Sequence, residues 1–233
     1  HDFIIRILKQ PKGIYASIAA VLFLGCLLQS PVALLNADFS HISILALSVS
    51  VASGSFFALA SISLYKAFIN GPIKLVAPIV GGYPVFSLIF SSLNGNLPNG
   101  IQVGAVIIIV ICAGYVAASK EENEGALANK KSAILWAVLS SFGFASSFAL
   151  GQYASNLSDQ YALLLPNRIS ALIALILIAK YLNKPIVPDL SEWRIFALMA
   201  LLDAVAQGFV ISSGKLEFPV YASIGASLFG LVT

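Results

Sequence analysis

The chain is 233 residues long, 59% of them apolar and only 10% charged, with a net charge of +3 and a mean hydropathy of +0.93. A soluble domain carries about 25% charged residues, and a body of this size cannot hide so much apolar surface from water. Secreted disulfide scaffolds, disordered tails and nucleic-acid binders are excluded, which leaves an integral membrane protein.

Charged residues are missing from Gly13–Ala37, Phe39–Tyr65, Leu75–Ser119 and Ser132–Ser158. A membrane-crossing helix needs about 20 apolar residues, so the 45-residue run Leu75–Ser119 must fold back on itself. Barrel strands would alternate polar and apolar residues, and no such alternation occurs. The expected fold class is therefore all-α, a polytopic membrane helical bundle. Punctuation by Pro, Gly, Asn and charge predicts eight spans, at about 13–35, 42–69, 72–94, 100–119, 132–156, 161–182, 193–213 and 218–233. Tight links at Asn70-Gly71-Pro72 and at Asn94 to Asn99 join the second span to the third and the third to the fourth. The polar stretch Lys120–Lys131 is the natural join between two halves. Cys26 and Cys112 fall inside apolar spans and read as small buried hydrophobes. The chain opens at His1 without a Met and stops at Thr233 inside an apolar run, so a fragment of a longer protein is expected.

Basic residues set the orientation. With the first span running outward, Arg6, Lys9, Lys12, Lys66, Lys74, Lys120, Lys130, Lys131, Lys180, Lys184 and Arg194 gather on the cytoplasmic side. That is 11 of the 13 basic residues; Lys215 stays outside and Arg168 lies within a helix. Trp136 and Trp193 fall near inner helix ends. The second span, a short link and a span opening at Pro72 recur as the seventh span, a short link and a span opening near Pro219. By the charge assignment these copies point in opposite directions, an arrangement used by many secondary transporters.

Leu64–Phe90, LYKAFINGPIKLVAPIVGGYPVFSLIF, resembles the third-to-fourth helix signature of EamA-type transporters of the drug/metabolite transporter superfamily. NGIQVGAVIIIVICAGYVAAS (Asn99–Ser119) resembles that family's fifth helix, with Gln102, Gly104 and Gly114 in the matching places. ALMALLDAVAQG (Ala197–Gly208) and FPVYASIGASLFGLVT (Phe218–Thr233) resemble helices of the second repeat. Two departures stand out: Asn96 holds the place of a frequent Glu before the fifth helix, and Gly230 that of a frequent Pro in the ninth. The resemblance implies two inverted five-helix repeats, with about eight of ten helices present. Residues 1–119 would be helices 2–5, 120–131 a polar linker, and 132–233 helices 6–9. It further implies a plasma (inner) membrane transporter or exporter that moves a small polar metabolite by alternating access. Its partners are the small-molecule substrate and the lipid bilayer, with a homodimer left open, and neither nucleic acid nor cofactor is expected.

Asp203 is the most informative single residue. It sits mid-span, where a charge costs about 2.5–3.5 kcal/mol on insertion scales, so something must compensate it. Gln207, four residues on, shares its helical face. Two readings stand: a pathway residue that binds substrate or a proton, and a buried pair that fixes packing. Arg168 lies 7 residues and Asp203 10 residues from the outer helix ends, within ~5 Å in depth at about 1.5 Å per residue. Arg168 is therefore a candidate partner, a bidentate clamp on a substrate carboxylate, or a residue snorkelling to the outer interface. Tyr83 and Pro84 follow Gly81-Gly82 in mid-span; Pro84 removes a backbone donor and opens the helix, leaving Tyr83 either facing substrate or packed beside a kink. Gln152 and Tyr153 are candidates for an outer vestibule or for the membrane interface. The small-residue sets Ser50, Gly54, Ala58, Ser61 and Ser140, Gly143, Ser147, Gly151 read as close-packing faces. Lys66 and Lys74 are expected to snorkel at inner helix ends, with Lys66 a candidate guard of an inner mouth.

The only histidines are His1 and His41, and neither a phosphate-binding loop nor a Gly-x-Ser-x-Gly elbow occurs. No metal site and no enzyme activity are expected. A non-transporting membrane assembly or scaffold protein is the alternative, and it requires a dry interior with Asp203 fully paired.

Overall fold

In lipid every backbone N–H and C=O must be satisfied within its own segment, so charge-free runs of this length close up as helices. The computed structural model describes residues 13–40, 42–93, 97–118, 130–188, 191, 193–216 and 219–227. Arg6, Lys9, Lys12, Asn96, Ser119, Gly230, residues 120–129 of the linker and both histidines lie outside them. Among the described residues the helices are α1 Ile14–Asn36, α2 Ile44–Asn70, α3 Ile73–Gly81, α4 Pro84–Leu93, α5 Gly100–Ala118, α6 Lys130–Leu157, α7 Gln160–Tyr181, α8 Trp193–Ser212 and α9 Val220–Ser227.

Six stretches are long and apolar enough to cross a membrane: α1, α2, α3 with α4 (Ile73–Leu93), α6, α7, and α8 with its 3-10 extension to Lys215. The sequence predicts eight. The other two predicted spans are described only in part, α5 as an apolar stretch over Gly100–Cys112 and the eighth over Val220–Ser227.

Helix ends follow local chemistry. Ser43 Oγ accepts from Ala46 N–H at the start of α2, and Asp159 Oδ1 accepts from Ala162 N–H at the start of α7. Asn99 and Gln102 cap α5 reciprocally, each side chain accepting from the other's backbone N–H. At the end of α7, Asn183 takes a left-handed φ of 53°. Its N–H and that of Lys184 donate to the carbonyls of Lys180 and Ala179, the Schellman arrangement. Inside α1, Pro31 cannot donate to Leu27 O, and Ser30 Oγ does so instead at 2.9 Å.

Helix α2 is the centre of the bundle, with α6 against one side and α7 against another. On α6 the contacts run antiparallel: Ser43 N–H donates to Ser158 Oγ, Ser53 Oγ to Ser147 O, and Ser140 Oγ to Ala60 O. Lys66 Nζ then sits 4.2 Å over the Trp136 ring, a cation–π contact. On α7 they run parallel, with Ser50 Oγ donating to Leu163 O and Asn167 Nδ2 to Ser53 Oγ. Helix α1 packs on both α7 and α8. This register brings Lys66, Lys131 and Lys180 to one end of the bundle. Lys215 is at the other end, where Ser213 meets Gln152 near the close of α6. The outward faces carry exposed Leu35, Ile44 and Ile108, among many others.

The small-residue sets do lie at tight crossings. A Cβ on Gly54 would stand 2.0 Å from Asn167 O, and one on Gly143 would stand 2.9 Å from the Ala60 Cβ. Small side chains let these backbones approach closely enough for interhelical packing to hold the bundle.

Candidate functional site

Asp203 and Arg168 meet. Arg168 Nη1 donates to Asp203 Oδ2 at 2.5 Å, with the arginine side chain fully buried and the aspartate side chain 19% exposed. Of the three roles open to Arg168, its burial excludes snorkelling to the interface. Arg168 Nε also donates to Gln29 Oε1 at 3.5 Å, and Gln29 Nε2 donates to Ala204 O at 3.1 Å. One amide on α1 thus ties α7 to α8. The guanidinium lies 5.3 Å from the centre of the Phe57 ring, and Gly25 leaves room for it, since a Cβ there would stand 3.3 Å from Arg168 Nε. Arg168 Nη2 is buried without a hydrogen-bond partner.

Gln207 begins a second polar chain. Its Nε2 donates to Asn167 Oδ1 at 3.0 Å, Asn167 Nδ2 donates to Ser53 Oγ at 2.7 Å, and Ser53 Oγ donates to Ser147 O at 2.7 Å. The chain crosses from α8 through α7 and α2 to α6, and each member gains a partner that lipid does not offer.

A cavity of about 420 Å³ lies alongside, between α1, α2, α6, α8, α9 and the break after α3. Asp203, Gln207 and Ser61 supply polar atoms to its wall, and Phe57, Tyr65, Phe144 and Phe148 supply rings. Tyr83 completes it. The helix stops at Gly81 and resumes at Pro84, as the missing proline donor requires; Gly82 and Tyr83 make single-turn bonds back to Ile79 O and Val80 O. Tyr83 is 1% exposed, its ring stands edge-on to Phe148 at 5.5 Å, and its hydroxyl has no partner.

Of the sequence-derived candidates, Asp203, Gln207 and Tyr83 share this wall, while Arg168 stands behind Asp203 and outside the cavity lining. Gln152 lies elsewhere. It is buried, and its Nε2 donates to Val210 O, Ser213 Oγ and Pro219 O, holding the turn between α8 and α9. Its neighbour Tyr153 is 48% exposed. Gln29 and Asn167 are absent from the sequence-derived candidates. The available signal is that each is an amide within an otherwise apolar span, Asn167 next to Arg168.

Compared with family models and with curated proteins, the chain matches none. The conclusion the fold supports is that this is a multi-pass helical membrane protein with six membrane-crossing stretches among its described residues.

Proposed function

We propose that the chain is a secondary transporter, carrying a small solute across its membrane by alternating access between two inverted halves. The observation that carries this reading is a 420 Å³ cavity inside the bundle, with a charged-pair carboxylate in its wall. A scaffold predicts a dry, tightly packed interior with few spaces larger than a water molecule, whereas this cavity is partly open, with exposed Leu202 on its edge, and the Asp203 side chain is 19% exposed beside it. Asp203 is held by one strong bond, to Arg168, and it can exchange that bond for a proton or a solute as the halves move.

Three further features support the reading. Helix α1 packs on α7 as well as α8, and α2 on α6 as well as α7; among these contacts, α1–α8 and α2–α7 are the two that an inverted relation of α1–α2 to α7–α8 would exchange. The break at Gly82–Tyr83 is irregular backbone beside a cavity, where it is tolerated in a membrane. The segments Leu64–Phe90 and Ala197–Gly208 resemble EamA-type transporter helices. The collection of basic residues on one side orients the chain with that side in the cytoplasm, and the family resemblance favours the plasma (inner) membrane.

Alternating access is tested without knowing the solute. In a chain with Cys26 and Cys112 replaced by Ala, Ala206→Cys lines the cavity. A membrane-impermeant thiol reagent labels it from both sides of sealed vesicles if the halves rock. Labelling from one side alone, or from neither, contradicts the proposal.

A further inference from the structure

The cavity wall holds one charged side chain, the Asp203 carboxylate, and no Lys, Arg or His among its described lining residues. Five aromatic residues line it, Phe57, Tyr65, Tyr83, Phe144 and Phe148, with the Phe57 ring also 5.3 Å from the Arg168 guanidinium. Aromatic faces carry negative electrostatic potential and attract cations, more strongly where water is excluded. Arg168 neutralises Asp203 from behind but is itself fully buried and outside the lining, so the cavity meets the negative end of the pair. The remaining wall is aliphatic, including Ile18, Leu22, Leu64 and Val210. A carboxylate or phosphate entering here finds no basic partner and is left as a buried, unpaired charge.

We infer that the cavity takes a monovalent organic cation: a protonated amine on an aromatic or branched aliphatic body. This rests on the transport reading for its purpose but on the wall alone for its chemistry. The ammonium sits at Asp203, with Gln207 Oε1 and the Tyr83 hydroxyl as further acceptors, and the apolar body packs among the rings. Tyr83, a lining residue, adds a buried hydroxyl without a hydrogen-bond partner. The family resemblance implies a small polar metabolite; the wall instead selects an apolar body with a single cationic head.

The test is equilibrium binding to the purified full chain in detergent at pH 7, with four probes of matched size: phenethylammonium, 2-phenylethanol, 3-phenylpropionate and phenylalanine. We expect phenethylammonium to bind at least tenfold more tightly than each of the other three. Tyr83→Phe, which keeps the ring, should weaken it severalfold, and Asp203→Asn should remove the preference for the cation over the alcohol. If Asp203→Asn does not fold, the four-probe ranking on the unaltered protein still decides. Equal or tighter binding of the anion, the zwitterion or the alcohol overturns the inference, and so does no binding of phenethylammonium. Failure here with Ala206→Cys still labelled from both sides refutes the ligand class and leaves the transport reading standing.

Discussion

Removing the Asp203 carboxylate leaves the Arg168 guanidinium buried among Gln29 Oε1, the Phe57 ring and Gly25, with no counter-charge. Breaking a buried pair from one side costs about 3–5 kcal/mol, whereas replacing both partners by apolar groups is often neutral. Asp203→Leu should therefore lower thermal stability in detergent sharply, and Arg168→Met with Asp203→Leu should recover most of the loss while abolishing transport. Additive losses in the double variant would mean that the two charges act separately. This pair was legible in the sequence because a charge in an apolar span demands compensation and only one other lay at matching depth. Gln29 and Asn167 were not legible. An uncharged amide carries no comparable demand, and helical periodicity does not say which neighbouring helix it will face. Gln152 shows the same ambiguity from the other side: its place near a helix end fits a vestibule, but its amide is spent on the backbone of the next turn.

At the scale of the helices, the crossings rest on side chains that are missing. Gly54→Ala forces a methyl to within 2.0 Å of Asn167 O, on backbone that cannot step aside. Overpacking of this kind costs about 1–3 kcal/mol, so the melting temperature should fall by roughly 2–12 °C. Gly104→Ala on α5, with nothing within 4 Å of the added methyl, should leave it unchanged. Equal effects at the two sites would show that α2 and α7 do not cross as described. Pro84 makes the complementary case. Pro84→Ala restores a backbone donor and lets α3 run into α4, so stability should hold or rise while transport slows. Unchanged transport would remove the break from the mechanism. The helices themselves were readable from charge-free runs, and the break from one proline. Their neighbours were not, because small-residue faces look alike on every span and only the folded packing pairs them.

Across the whole molecule, the register of α2 with α6 and α7 collects Lys66, Lys131 and Lys180 at one end and Lys215 at the other. Charge asymmetry of this kind orients membrane proteins with the basic end inside. In the chain lacking Cys26 and Cys112, Lys215→Cys should react with an impermeant reagent applied to intact cells, and Lys180→Cys only after the membrane is opened. The reverse pattern would invert the orientation. The central claim is that solute crosses through the cavity at Asp203, and uptake into proteoliposomes tests it most directly. The full chain would be offered labelled amines, amino acids and nucleobases, with and without a pH gradient, with folded Asp203→Asn in parallel. The account predicts gradient-stimulated accumulation of an amine that the variant loses. Accumulation of nothing by folded protein, or accumulation undiminished in Asp203→Asn, would contradict it.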